Sequence, residues 1–194
     1  MPRPRTVPDE AVLDAAMAVV VRDGPAAVTL ARVAEEVGLS PATLVQRFGS
    51  KRELLLAAAR HAAPGRAEVW DRARAEHASP LAALRSVLVS FTASVPTREA
   101  MANSIAFLHI DLSDPEFHLL AATGMEEMRA QIRALLDDAV GAGELGPTDT
   151  GALARAVQNA YNGALISWAI YGEGALDDWL RRELDFVLAP YRAR

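Results

Sequence analysis

The chain has 194 residues, 51% hydrophobic and 23% charged, with no cysteine; this is material for one or two packed domains, and it excludes disulfides, zinc–thiolate centres, iron–sulfur clusters and cysteine nucleophiles. The net charge of −5 opposes nucleic-acid binding when averaged, but residues 1–60 carry eight basic and seven acidic side chains against twelve and eighteen in 61–194. No apolar run reaches the roughly 18–20 residues of a membrane span and no apolar signal core follows Arg3 and Arg5, so a cytoplasmic protein with no membrane partner is expected.

From Pro8 to Asp23, apolar residues at Val12, Ala15, Ala16, Val19 and Val20 form one helical stripe that Gly24 stops. Thr29 caps a short second helix, with Val28 and Val33 spaced as a hydrophobic staple. Gly38 ends it, and Ser40 caps a third helix that has Pro41 at its first position and Leu39 and Leu44 as a second staple. Gly49 breaks that helix, and Ser50 with Glu53 reads as a capping box opening KRELLLAAARHAA. Two short helices across a turn centred on Gly38 make a helix-turn-helix. The outer face of its third helix offers Thr43, Gln46, Arg47 and first-turn amides, the groups that a major groove and its phosphates require. Residues 40–52 hold Arg47, Lys51 (the only lysine) and Arg52 with no acid, a small basic face on an acidic body.

Beyond residue 78 the pattern stays helical. Helices are expected from Ser79-Pro80 to about 95, Pro96-Thr97 to about 113, Asp114-Pro115 to about 142, Thr150 to Tyr171, and Ala175 to about Tyr191. The fold class is therefore all-α. The helix from Thr150 is apolar on two sides and the last one carries a broad apolar stripe, as expected of a pair that packs on its own subunit and on a symmetry mate. The candidate homodimer interface is Leu153, Val157, Leu165 and Trp168 with Trp179, Leu180, Leu184 and Val187. HIDLSDPEFH holds His109 and His118, but matches no metal-binding spacing; no metal and no cofactor are expected, and a helical metal-dependent enzyme built on these two histidines is the competing reading.

The run from Ala11 to Ala58 resembles the DNA-binding domain of the TetR/AcrR family of transcriptional regulators. The resemblance is carried by the LDAA-like first helix ending at Gly24, by Thr29, and by Ala34 with Val37-Gly38-Leu39. Ser40, Thr43, Phe48, Ser50-Lys51 and Glu53-Leu54-Leu55 complete it. It implies an N-terminal three-helix DNA-binding domain, residues 1–52, and a C-terminal helical domain for effector binding and dimerisation, residues 53–194. It also implies a non-enzymatic, ligand-responsive repressor that binds palindromic double-stranded operator DNA as a homodimer and is released by a small apolar or amphipathic molecule. Thr29 and Thr43 are then expected at phosphates, Lys51 against the backbone, and Ser40, Pro41 and Ala42 facing the groove. Gln46 and Arg47 have the chemistry to read adenine and guanine, and Arg3 and Arg5 reach either a minor groove or phosphates. Val45 departs from the family, which usually has an aromatic there; Arg47 stands where histidine or tyrosine is common; Pro64-Gly65 is either a hinge or a helix end. Polar groups stranded among apolar neighbours, including Asn103, mark the body. Candidate effector-lining residues are Met101, Ile105, His109, Phe117, Met125, Gln158, Tyr161 and Asn162.

Overall fold

The structure, a computed structural model, describes residues 7–62 and 67–193. Among these the α-helices are α1 (Asp9–Asp23), α2 (Leu30–Glu36), α3 (Pro41–Phe48), α4 (Lys51–His61), α5 (Ala67–Glu76), α6 (Pro80–Ser90), α7 (Arg98–Ser113), α8 (Pro115–Gly141), α9 (Thr150–Tyr171) and α10 (Leu176–Leu188). The described residues contain no strand, only an isolated antiparallel bridge between Leu145 and Arg192, so the fold is all-α. No described helix is long and apolar enough to cross a membrane. Two compact units form: the described residues of Met1–Ala63 with Ala102–Ala121, and those of Pro64–Met101 with Ala122–Arg194. This grouping differs from a division after residue 52, because α4 buries Leu54, Leu55, Leu56 and Ala58 in one cluster with Val12, Ala16 and Val19 of α1.

In the first unit that cluster also takes in Val28, Val33, Ala34 and Leu44, so the helix-turn-helix is welded to α1 and α4 by its apolar face. Phe107 and Phe117 meet edge-on inside it, with ring centroids 5.9 Å apart. Asn103 is a satisfied amide rather than a stranded one. Its Nδ2 donates to the carbonyls of Val21 and Arg22 at 3.1 and 3.0 Å, two of the acceptors that the end of α1 leaves open.

In the second unit, α5 has no counterpart in the sequence reading. It is anchored by Trp70, which is fully buried, with the Phe91 ring 5.8 Å away; Trp70 and Ala73 are its buried residues, too few to give a periodic signal. Helix α6 stops at Ser90, short of the expected 95. There the hydroxyls of Ser90 and Thr92 donate to Val87 and Val89 carbonyls, both at 2.7 Å, competing with the helical amides for those acceptors. Helix α10 ends at Leu188 and passes into a 3-10 turn, Ala189–Tyr191, since Pro190 has no amide proton to continue the ladder. Helix α9 ends at Gly172, whose φ is 64°. Arg98 closes that end, donating from Nε to Ala169 O at 3.1 Å and from its terminal nitrogen to Ile170 O at 2.9 Å. A Cβ on Gly172 would lie 2.7 Å from Arg98 Cδ.

Candidate nucleic-acid interface

Capping bonds fix the helix-turn-helix at every joint. Thr29 Oγ1 accepts from the Arg32 amide at 3.0 Å and Ser40 Oγ accepts from the Thr43 amide at 3.1 Å, as expected of N-cap residues. Between them Gly38 adopts φ 69°, a left-handed conformation that glycine takes without steric cost, and the Leu39 amide returns to Ala34 O at 2.8 Å. Ser50 Oγ accepts from the Glu53 amide at 3.2 Å, but the reciprocal half of the expected capping box is replaced. The Ser50 amide donates to Phe48 O at 2.9 Å, and Glu53 accepts from Arg52 at 3.0 Å.

Leu44 is fully buried on the inner face of α3. The outer face exposes Ser40, Pro41, Ala42, Val45 and Gln46, with Thr43 half-buried and its hydroxyl 2.8 Å from Ser40 Oγ. Val45 is 52% exposed. In sequence Val45 stands where the family has an aromatic, and its place one turn after Ala42 is the signal that puts it on this outer face.

The cations divide by what already holds them. Arg47 donates from Nε to Asp9 Oδ1 at 2.7 Å, from a second nitrogen to the same oxygen, and from the third to Val7 O at 3.0 Å. It therefore ties α3 to the start of α1 rather than standing free over the groove face. Arg32 pairs with Asp23, and Arg22 with Asp23 and Glu36. Arg52 forks onto both Asp114 oxygens at 2.8 Å and reaches Glu116 at 2.9 Å; these bonds push its own pKa up, and Arg52 holds the Asp114 carboxyl down at about 2. Arg60 lies 3.4 Å from Glu116. Lys51 is different: its Nζ donates to Ala26 O at 3.2 Å, and among the described residues of this unit it is the cation with no carboxylate partner. Arg3, Arg5 and Pro64-Gly65 lie outside the described residues.

The candidate effector residues do not share one environment. Ile105, His109 and Phe117 belong to the first unit, where His109 is exposed and Phe117 is core. Met101, Met125, Gln158, Tyr161 and Asn162 belong to the second. There Gln158 is buried and satisfied, accepting from Arg129 Nε at 2.9 Å and donating to Met125 O at 2.8 Å. Tyr161 lies one turn later on α9, and burial pushes its phenol pKa up.

Of the candidate interface residues, Leu153, Val157, Trp168, Leu180 and Leu184 are buried within their own chain, while Leu165, Trp179 and Val187 are partly exposed. The strongly exposed apolar side chains of these helices are Ile166, Ile170, Tyr171 and Phe186. His109 and His118 are both exposed, and among the described residues no group of three or more His, Asp or Glu is placed to hold a metal ion.

Residues 12–58 match the family of bacterial regulatory proteins named for tetR. No curated protein matches the chain. Solved structures of similar fold cover nearly all of it. A transcriptional regulator of Saccharomonospora viridis in complex with choline is 22% identical with a TM-score of 0.77, covering 96% of this chain and 98% of its own. The TetR-family regulator PfmR of Thermus thermophilus is 25% identical at a TM-score of 0.64, covering 92% and 97%. SmeT, the repressor of the multidrug efflux pump SmeDEF of Stenotrophomonas maltophilia, is 23% identical at 0.69, covering 96% and 91%, and has also been solved with triclosan. Residues 12–58 thus belong by sequence to the tetR family of bacterial regulatory proteins, and the helical body is similar in fold to TetR-family transcriptional regulators.

Proposed function

We propose that this regulator is a cytoplasmic, ligand-responsive repressor that binds a palindromic operator as a homodimer and is released by a small apolar or amphipathic molecule held within residues 53–194. The observation that carries the reading is the cap-locked α3, with Pro41, Ala42, Val45 and Gln46 presented outward and Lys51 unpaired beside them. In the DNA complex α3 enters the major groove, Gln46 reads adenine, and Thr29, Thr43 and Lys51 hold phosphates. Two such helices in one dimer span half-sites about 34–36 Å apart. Dimerisation is supported by the apolar surface of α9 and α10 at Ile166, Ile170, Tyr171 and Phe186. The effector class is supported by buried Gln158 and Tyr161, polar groups in an apolar interior, and by the choline and triclosan complexes of the structural relatives.

The test is selection from a random DNA pool, followed by titration of the winning duplex. A palindromic motif bound by two protomers supports the proposal; a folded protein that enriches no sequence refutes it. Choline, triclosan and amphipathic compounds that raise the melting temperature are then added at saturation. Induced release requires that such a compound lower operator affinity, and linkage that operator DNA weaken its binding by the same factor, so an affinity unchanged by every such compound overturns induced release.

A further inference from the structure

We infer that α3 reads an A·T-rich half-site without any charged base contact, with Val45 and Ala42 packing against thymine 5-methyl groups while Gln46 pairs with adenine. The inference rests on the reading that α3 enters a major groove.

Guanine is best read by a guanidinium or ammonium group reaching O6 and N7. The sequence of α3, PATLVQRF, contains one cation, and Arg47 spends its donors on Asp9 and Val7 O. Turning it toward a base would give up both bonds to Asp9 and the one to Val7 O. What remains exposed on the helix is uncharged: Pro41, Ala42, Val45 and Gln46. Ala42 and Val45 are three residues apart, and Gln46 is four from Ala42, so the three are neighbours on one helical surface. They form a strip of methyl groups with a carboxamide at its edge. Among base edges in the major groove, the apolar group is the thymine methyl, and the carboxamide's bidentate partner is adenine. Both belong to the A·T pair. An open valine also has hydrophobic gain available on contact that Leu44, already buried, does not.

The experiment uses the full chain and its selected duplex, with each half-site thymine replaced singly by uracil, which removes only the methyl group. The expected motif is A·T-rich where α3 sits, and uracil at one thymine lowers affinity about fourfold, the worth of one buried methyl. Val45→Ala should bind thymine and uracil duplexes equally at that position. Val45 is exposed, so folding of the variant is not at risk, and the uracil scan of the unsubstituted protein decides independently. An obligatory G·C pair at the α3 contacts overturns the inference. So does indifference to uracil at every position, or a full set of uracil penalties that Val45→Ala leaves unchanged at every position. A folded protein that selects no sequence fails the underlying major-groove reading instead; selective but methyl-blind binding fails this inference alone.

Discussion

Lys51 and Arg52 are adjacent cations at the start of α4, and their pairing predicts opposite behaviour. Lys51 gives one hydrogen bond to a carbonyl, so Lys51→Ala leaves the fold intact and removes a phosphate contact. Each phosphate neutralised contributes about 0.9 to the slope of log K against log salt. The slope of the variant should therefore be shallower by about 0.9 for each bound protomer. Between about 50 and about 200 mM salt its affinity would fall about 3.5-fold less per protomer, since a fourfold salt change raised to that power gives this factor. Arg52 is held by Asp114, Glu116 and Glu53, and a phosphate gains it only by breaking those pairs. Arg52→Ala should keep the salt slope and lower the melting temperature. Fluorescence anisotropy on a labelled operator across a salt series, with calorimetry of both variants, measures the two effects. A slope change in Arg52→Ala equal to or larger than that in Lys51→Ala refutes the argument that carboxylate pairing withholds a cation from DNA.

Leu44→Ala empties a fully buried position between α3 and its neighbours and should cost about 2–5 kcal/mol of stability by denaturant unfolding; a loss below about 1 kcal/mol contradicts the core assignment. Asn103→Ala strips two α1 carbonyls of their donor and should cost about 1–2 kcal/mol, whereas a neutral effect means that solvent replaces it. Two acids of α7 and its exit respond to pH with opposite sign. Asp114 is held down at about 2 by Arg52, so it supports the fold above the ordinary aspartate value of 3.8 and that support disappears as pH falls toward about 2. Asp111 is pushed up to about 6 by burial, so its ionisation weakens the fold as pH rises from 3.8 to about 6. Asp111→Asn should raise the melting temperature near pH 7 and leave it unchanged below about pH 3.5; an equal shift at both ends rejects this account.

Much of the fold is legible because caps and staples are local. Thr29, Ser40 and Ser50 each accept from the amide three residues on, and spacing alone discloses that geometry. What the sequence hides is partnership over distance. Arg47 looks like a base reader on its helix, and only the return of the chain places Asp9 and Val7 O against it. Leu153 and Leu180 look like interface residues because a stripe does not say which neighbour covers it; the neighbour is their own subunit. Helix α5 escaped because one tryptophan cannot establish a period.

The clasp of Arg98 on the end of α9 makes the order of mutations matter. A side chain at position 172 meets two obstacles: a left-handed φ of 64°, costing about 1–2 kcal/mol for an L-residue, and the Arg98 side chain lying within 2.8 Å of the new carbon. Shortening Arg98 removes the second obstacle at the expense of two carbonyl contacts. Gly172→Ala is thus more damaging in a background that keeps Arg98 than in one that has lost it. Position 172 is more readily filled once the arginine is gone, so substitutions at the two sites, 74 residues apart in the chain, are non-additive.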